Sequence, residues 1–404
     1  MLVPLTLLAE DWPQFRGPLG QGHATGTNLP VEWGPEKNVA WRTELEGNGW
    51  SSPIYVQGRV YLTEAVEQSE ADSMRYSLRV ISLDAKTGKT LWETEVFVED
   101  AGSPNIHNKN SHASPTPLIE GDRLYVHFGH QGTACLTLRG EIVWQNRELN
   151  YKPVHGGGCS PVLAEDVLVF SADGASDPAV YALDSKNGQL RWKFARPNDP
   201  PKKFAFCTPL VITINGEKQI ISPGAGSVSA LKPSDGTELW RVDYGDGYSV
   251  VPRPVFEHGL VFLSSGFDAA EALAIRPDGT GNVTETHIAW REKRGAPHTP
   301  SMLVVGDELY MVSDGGVASC LDAKTGEIHW KERLGGGYSS SPLFVEGKIY
   351  FVNEAGKGTV LAPGKTFTKL GENGFPERTL ASYAAGENAL FVRTEKALYR
   401  VEAK

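Results

Sequence analysis

ISLDAKTGKTLW, residues 81–92, decides the architecture, because it returns along the chain. It comes back as YALDSKNGQLRW (181–192), SALKPSDGTELW (229–240) and SCLDAKTGEIHW (319–330). Weaker copies are CLTLRGEIVW (135–144) and AIRPDGTGNVTETHIAW (274–290). Each copy reads as a strand, a tight turn and a second strand ending in Trp. The turn has a mechanism. In Asp84-Ala85-Lys86-Thr87-Gly88 the carboxylate can accept backbone N–H bonds, and glycine can take a positive φ without a Cβ clash. Asp184 with Gly188, and Asp322 with Gly326, repeat the arrangement.

Working outward, Trp92, Trp144, Trp192, Trp240, Trp290 and Trp330 are separated by 52, 48, 48, 50 and 40 residues, the period of a propeller blade. Before each copy lies a second pattern: Ser, Thr or Arg followed by Pro, an apolar run, a Gly or Asp turn, and an alternating strand. SPIYVQGRVYLT (52–63), SPVLAEDVLVFS (160–171), RPVFEHGLVFLS (253–264) and SPLFVEGKIYFVN (341–353) are examples. Short β-branched and aromatic runs divided by Gly, Asp and Asn are strand-and-hairpin signals, and no comparable segment has helical periodicity. Each unit therefore predicts four antiparallel strands.

Seven such units begin near residues 52, 114, 160, 208, 253, 299 and 341. An eighth, SYAAGENALFVRTEKALYRVE (382–402), has no room for a fourth strand. NVAWRTEL (38–45) has the missing pattern, with Trp41 where Trp92 stands in its own unit. The expected fold is an all-β, eight-bladed β-propeller of four-stranded antiparallel blades, residues 38–404, with the ring closed by the N-terminal strand. Closure would leave no sheet face uncovered. Trp41, Trp92, Trp144, Trp192, Trp240, Trp290 and Trp330 are expected to dock neighbouring blades. Residues 1–37 are expected to be a leader remnant and an N-terminal arm, because MLVPLTLLAED has a short apolar run with no basic residue before it.

Composition narrows the function. The 404 residues carry 39 basic and 49 acidic side chains, a formal charge of -10, and no basic run that would suit phosphates, so nucleic acid is not an expected partner. No apolar stretch approaches the ~20 residues of a membrane-spanning helix. The four cysteines, at 135, 159, 207 and 320, show no CxxC spacing and predict no structural zinc. Cys159 and Cys207 precede Ser/Thr-Pro in neighbouring units, which leaves a bridge between them open.

The repeat resembles that of the PQQ-like β-propeller family, whose docking motif runs Ala-x-Asp-x-x-Thr-Gly-x-x-x-Trp. Ala182, Asp184, Gly188 and Trp192 fit it, as do Ala230, Gly236 and Trp240, and Ser82 and Cys320 take the Ala position in two other copies. DWPQFRGPLGQG (11–22) is similar to an N-terminal signature of extracytoplasmic PQQ-like proteins from planctomycete-type bacteria. Relatives include the lipoprotein propeller that scaffolds outer-membrane β-barrel assembly and the quinoprotein alcohol dehydrogenases. The resemblance implies a periplasmic or otherwise extracytoplasmic location. No cysteine before Cys135 could carry a lipid, and no adjacent cysteines exist to form the disulfide beside which quinoproteins place their quinone.

Candidate site residues come from the stretches preceding the Pro-started strands, which in a propeller converge on one mouth of the channel. GNGWSSP, NIHNKNSHASP, HGGGCSP, GDGYSVVP, GAPHTP and GGGYSSSP supply Trp50, His107, Asn108, Asn110, His112, His155, Tyr248, His298 and Tyr338. These predict a funnel of aromatic faces, imidazoles and amides suited to a polar small molecule, a glycan or an extended peptide. His127 and His130, three apart, are expected to be structural rather than metal ligands. Arg16 is expected to pin the N-terminal arm. No catalytic motif is found. The expected function is a non-enzymatic, monomeric binding or assembly scaffold for a protein partner, with no cofactor. A PQQ- and calcium-dependent oxidoreductase and a carbohydrate-binding propeller are the alternatives.

Overall fold

The computed structural model describes residues 11–404 except 71–72, 100–102, 104–105, 150 and 269. The stretch read as a leader remnant lies largely outside the described residues. Eight four-stranded antiparallel β-sheets form an eight-bladed propeller. Blades 1 to 7 span 54–98, 118–146, 162–195, 210–243, 255–292, 303–333 and 343–374. Blade 8 combines three strands within 384–401 with Val39–Glu44, which pairs antiparallel with Ala397–Val401. Two blades gain a short parallel fifth strand: Gly281–Asn282 beside blade 4 and His23–Ala24 beside blade 7.

The middle strands are apolar on both faces because a neighbouring blade covers each. In Val167–Ala172 all six residues are buried, whereas Leu190–Ala195 buries Trp192 alone. The apolar clusters follow the same logic, each spanning facing sheets rather than filling one, as where Trp192 of blade 3 meets Ile220 and Leu231 of blade 4. A register slip precedes each Trp. Ala182 lies opposite Trp192, but Leu183 lies opposite Leu190, so Arg191 is bulged out. The same slip occurs at Trp92, Trp144, Trp240, Trp290 and Trp330, and the extra residue bends the outer strand.

The docking motif now has a physical meaning. The Trp192 indole N–H donates to the Pro233 carbonyl in the turn of blade 4 (2.8 Å), and Trp144 to Ser185 (3.1 Å), Trp290 to Ala323 (2.9 Å), Trp330 to Gly364 (3.1 Å), Trp92 to Leu138 (3.1 Å) and Trp41 to Ala85 (2.9 Å). Glycine is required in the turn for two reasons. At Gly236 φ is +73°, and a Cβ there would stand 2.6 Å from the Trp192 ring. Asp84 accepts from the Thr87 N–H and hydroxyl, both 2.7 Å.

Two junctions depart from this rule. Trp240 is fully buried, but its N–H turns back to the Gln219 side chain of its own blade (2.9 Å). The blade 5 copy is stretched by insertion, and its Gly281 pairs with Trp240 as the parallel fifth strand. At the 7/8 junction Gly371 occupies the Trp position in the slipped register, and the N-terminal arm delivers Trp33 instead. Trp33 stacks on Tyr350 of blade 7 (6.1 Å) and meets Tyr383 before blade 8 edge-on (6.0 Å). All four cysteines are free and buried, so Cys159 and Cys207 are not bridged. Cys159 accepts from the Ser171 N–H, and Cys207 donates to the Pro252 carbonyl.

Candidate functional site

The residue that starts each blade at the axis is hydroxylated in seven blades: Ser52, Thr116, Ser160, Thr208, Ser301, Ser341 and Ser382. Their backbone and hydroxyl groups link blade to blade. Ser52 N–H donates to Thr116 Oγ1 (2.9 Å), Thr116 to Ser160 (2.9 Å), Ser160 to Thr208 (3.0 Å), Ser301 to Ser341 (3.0 Å), Ser341 to Ser382 (2.9 Å) and Ser382 to Ser52 (3.1 Å). Blade 5 has Arg253 at this position. Its N–H donates to Ser301 (2.9 Å), but it offers Thr208 no hydroxyl, so the circle is open between blades 4 and 5.

The Arg253 side chain serves a different task. It donates to the Pro209 carbonyl (3.1 Å), to the Phe15 carbonyl and to Gln14 Oε1 (3.2 Å), anchoring the N-terminal arm. That arm crosses the end of the channel. Trp12 bridges to Tyr55 of blade 1, Pro13 accepts from Ile119 of blade 2, and Gln21 from Phe256 of blade 5. Arg16, buried, donates to the Met302 carbonyl (2.7 Å) beside blade 6 and to Gln21 (3.0 Å), which is the pinning role its sequence position predicts. Burial lowers the Arg16 guanidinium to about 9 and that of Arg253 to about 10, Arg253 itself adding to the effect on Arg16.

The result is a blind cup of about 540 Å³ on the axis. All seven hydroxyl residues line it, and Phe15 of the arm is part of its wall. Above the hydroxyls, rings touch in sequence across blades 2 to 6. His107 meets His155 at 5.2 Å, His155 meets Phe204 at 5.4 Å, and Phe204 meets Tyr248 at 5.3 Å. Tyr248 then meets Phe267 at 6.5 Å, and Phe267 meets His298 at 4.5 Å. Burial, then the neighbouring His107, lowers the His155 imidazole below its usual range. Trp50 faces this arc with Arg378 over its ring at 5.3 Å.

Two ammonium groups line the cup, each with a carboxylate behind it. Lys109 pairs with Glu354 (2.8 Å), and Lys202 with Asp268 (3.2 Å) and the Tyr248 hydroxyl (2.6 Å). Burial would raise the Glu354 carboxyl, but hydrogen bonds from Lys109 and Ser339 hold it below its ordinary value. The Tyr248 and Asp268 hydrogen bonds raise Lys202. Among the described residues lining the cup there is no carboxylate.

Trp50, His107, Asn110, His155 and Tyr248 line the cup as their positions predict, and His298 closes the aromatic arc without lining it. Asn108 is exposed at the rim, where its carbonyl accepts from Arg378 (2.6 Å). His112 is elsewhere: it pairs with Glu99 (2.7 Å) and stacks on Tyr76 of blade 1 (4.0 Å). Tyr338 is also elsewhere, buried between blades 6 and 7 with Leu303 and Phe351. The reason is parity. Trp50 stands two residues before its ring position and Tyr338 three before Ser341, and an odd offset in extended chain turns a side chain to the opposite face. Tyr248 and His155, five before theirs, escape this because Ser249 (φ +51°) and His155 itself (φ +66°) interrupt the extended run. His127 is structural: it is buried on Phe170 (4.1 Å), hydrogen-bonded to Thr133 (2.8 Å), and lowered to about 3, chiefly by burial. No group of three or more potential metal ligands occurs among the described residues.

The same alignment holds signals that the sequence reading passed over. PKKFAFCTP (201–209) and RTLASY (378–383) precede the inner strands of blades 4 and 8, and they supply Lys202, Phe204, Phe206 and Leu380 to the lining and Arg378 to the face of Trp50. Neither has the Gly-rich look of the other stretches.

A family model described as outer membrane protein assembly factor BamB matches residues 23–148, 79–288 and 225–366. The chain belongs to this PQQ-like propeller family. The matches overlap because a repeat array satisfies one pattern in several registers. Tetrathionate hydrolase of Acidithiobacillus ferrooxidans is 24% identical over 318 residues, 78% of this chain and 48% of that protein. The chain thus spans about half the length of that curated relative. Among solved structures, BamB from Moraxella catarrhalis superposes with a TM-score of 0.63 at 12% identity, covering 91% of this chain and 97% of that one. Quinohemoprotein alcohol dehydrogenase ADHIIG from Pseudomonas putida HK5 gives 0.65 at 10% identity, covering 97% and 80%. At these identities the superpositions establish the fold.

Proposed function

We propose that this propeller is a non-enzymatic binding scaffold in an extracytoplasmic compartment, which engages a protein partner through the mouth of its axial cup. The observation that carries this reading is the cup itself, walled by rings from successive blades and blocked below by the N-terminal arm. A rigid disc with one aromatic, solvent-open recess presents a contact surface without moving parts. Membership in the BamB family supports a partner-binding role and an exported location.

The quinone alternative meets a poor donor set. Calcium takes carboxylate and carbonyl oxygens, and the described lining offers hydroxyls, imidazoles, amides and ammoniums. The dispersed, buried cysteines could not form a vicinal disulfide. No reaction step is therefore assigned to this group.

A photo-cross-linking residue placed at Trp50 in native cells tests the proposal. Expected is a discrete protein adduct that is absent when the same residue replaces Glu238 on an outer strand. Adducts of equal pattern at both places would overturn it.

A further inference from the structure

We propose that the cup captures the free C-terminal carboxylate of a polypeptide whose last side chain is apolar. This rests on the reading of the cup as the partner-binding site and specifies what enters it.

The argument starts from hydrogen-bond direction. Six of the seven ring hydroxyls accept the N–H of the preceding blade's ring residue, and the seventh, Ser301, accepts that of Arg253. Each hydroxyl has one proton to give, and none finds a protein acceptor among the described residues. Accepting a hydrogen bond polarises the O–H and strengthens it as a donor. All seven residues are buried, so these are seven donors held in place and facing the axis. Lys109 and Lys202 add ammonium protons above them.

Acceptors are scarce in the same lining. The Asn110 amide oxygen already takes the Ser111 N–H (2.8 Å) and the Ser114 hydroxyl (2.5 Å), and His107 Nδ1 takes the Lys109 N–H (3.2 Å). A neutral sugar, whose hydroxyls donate as well as accept, would have to place its donors on the second lone pairs of hydroxyls that already accept an N–H. A carboxylate only accepts, and its two oxygens hold about four lone-pair sites.

Charge points the same way. Arg16 and Arg253 are buried at the floor, and no carboxylate among the described residues lies within ion-pair reach of either. Arg16 Nε and Nη1 have no hydrogen-bond partner at all. The two guanidiniums lie nearest the ring positions of blades 4 to 6, since Arg253 reaches the Pro209 carbonyl beside Thr208 and Arg16 the Met302 carbonyl beside Ser301. A chain with a net charge of -10 has thus concentrated uncompensated positive charge under one recess.

Shape selects a chain end. The arm closes the channel, so a peptide can enter but cannot pass. Phe15, Phe204, Phe206, Val251 and Leu380 give the wall an apolar surface for a terminal side chain. An N-terminal ammonium would bring donors to donors.

The test is calorimetric titration of the full chain with a hexapeptide ending in phenylalanine as the free acid, and with the same peptide amidated. Expected is binding of the acid and at least about ten-fold weaker binding of the amide, as loss of hydrogen bonds to a charged group implies. Ser160→Ala with Thr208→Val should weaken the acid several-fold and leave the amide unchanged, with circular dichroism confirming the fold. Equal affinity for acid and amide overturns the proposal. Binding of neither overturns it too, and a persisting adduct at position 50 would then show that the scaffold reading survives alone.

Discussion

The junction between blades 4 and 5 breaks both the outer docking rule and the axial hydroxyl rule, whereas the 7/8 junction breaks only the first. At the outer rim Trp240 gives its N–H to Gln219 within its own blade, where six other tryptophans reach the next blade's turn. At the axis Arg253 replaces a hydroxyl and leaves one link of the circle open. Regular junctions hold blades together through backbone carbonyls and small glycine turns, interactions that tolerate sequence drift. The 4/5 junction has exchanged them for named side chains, one buried amide and one buried guanidinium. The difference teaches where a repeat array can specialise. Seven positions repeat a structural hydroxyl, and the eighth is free to carry a charge that fastens the N-terminal arm and sets the electrostatics of the cup.

The largest effect should come from removing a regular dock. Trp192→Ala should cost about 3 to 5 kcal/mol in chemical unfolding, since it empties the interface with Ile220 and Leu231 and strands the Pro233 carbonyl. Gly236→Ala should follow at about 2 to 3 kcal/mol, combining a strained positive φ with a clash on the Trp192 ring. Gly216 is the control, because its φ is +86° but nothing lies within 4 Å of its added Cβ. Gly216→Ala should cost about 1 kcal/mol. The clash should also vanish in a Trp192→Ala background, so the double mutant should be less destabilised than the sum of the two. Strict additivity would break the account of the motif.

The irregular junction makes the opposite prediction. At 4/5 the tryptophan's acceptor is a side chain, so Gln219→Leu can delete it, at about 1 to 3 kcal/mol for the unpaired indole N–H. At the regular junctions every acceptor is backbone, and no single substitution removes it. Arg253→Ser sharpens the comparison at the axis. It restores the eighth hydroxyl opposite Thr208 and releases Phe15 and Gln14, so global stability should change little. Hydrogen exchange should accelerate across residues 14–22, which lose their anchor, while the inner strands stay protected. Unchanged exchange in the arm would mean that Trp12, Arg16 and Gln21 hold it unaided.

Much of this was legible because repetition amplifies small signals. A lone Asp-x-x-Thr-Gly turn says little, but its recurrence ahead of a spaced Trp fixed strand order, blade number and the partner of residues 38–45. What repetition could not show was exchange between elements far apart in sequence. Trp33 fills the 7/8 junction from the N-terminal arm, and nothing near Gly371 announces the vacancy. The site was half legible for the same reason. Trp50 and Tyr248 stood out as aromatics among glycines, but side-chain direction depends on the backbone between them and the ring position, where the odd extended offset of Tyr338 turns it away and the positive φ of Ser249 resets Tyr248. The hydroxyls were visible only as strand starts. Their chemistry lies in which atom donates, and that emerges when adjacent blades are brought within 3 Å.

The smallest effect concerns the turns under the tryptophans and depends on pH. Hydrogen bonding from Thr87, chiefly its hydroxyl, holds the Asp84 carboxyl below its ordinary value, with burial opposing. A depressed folded value contributes stability that is fully present above the unfolded carboxylate range, near 3.9, and is lost as pH falls through the lower folded value. Asp84→Asn keeps an oxygen acceptor but removes the charge. Unfolding curves of wild type and variant should therefore differ by a small constant above about pH 5 and converge towards pH 2. Solvent screening keeps the gap modest, because Asp84 is only half-buried. A gap that widened on acidification would mean that the protonated turn is the stronger one, and that glycine and the Trp ring, rather than the carboxylate, define its geometry.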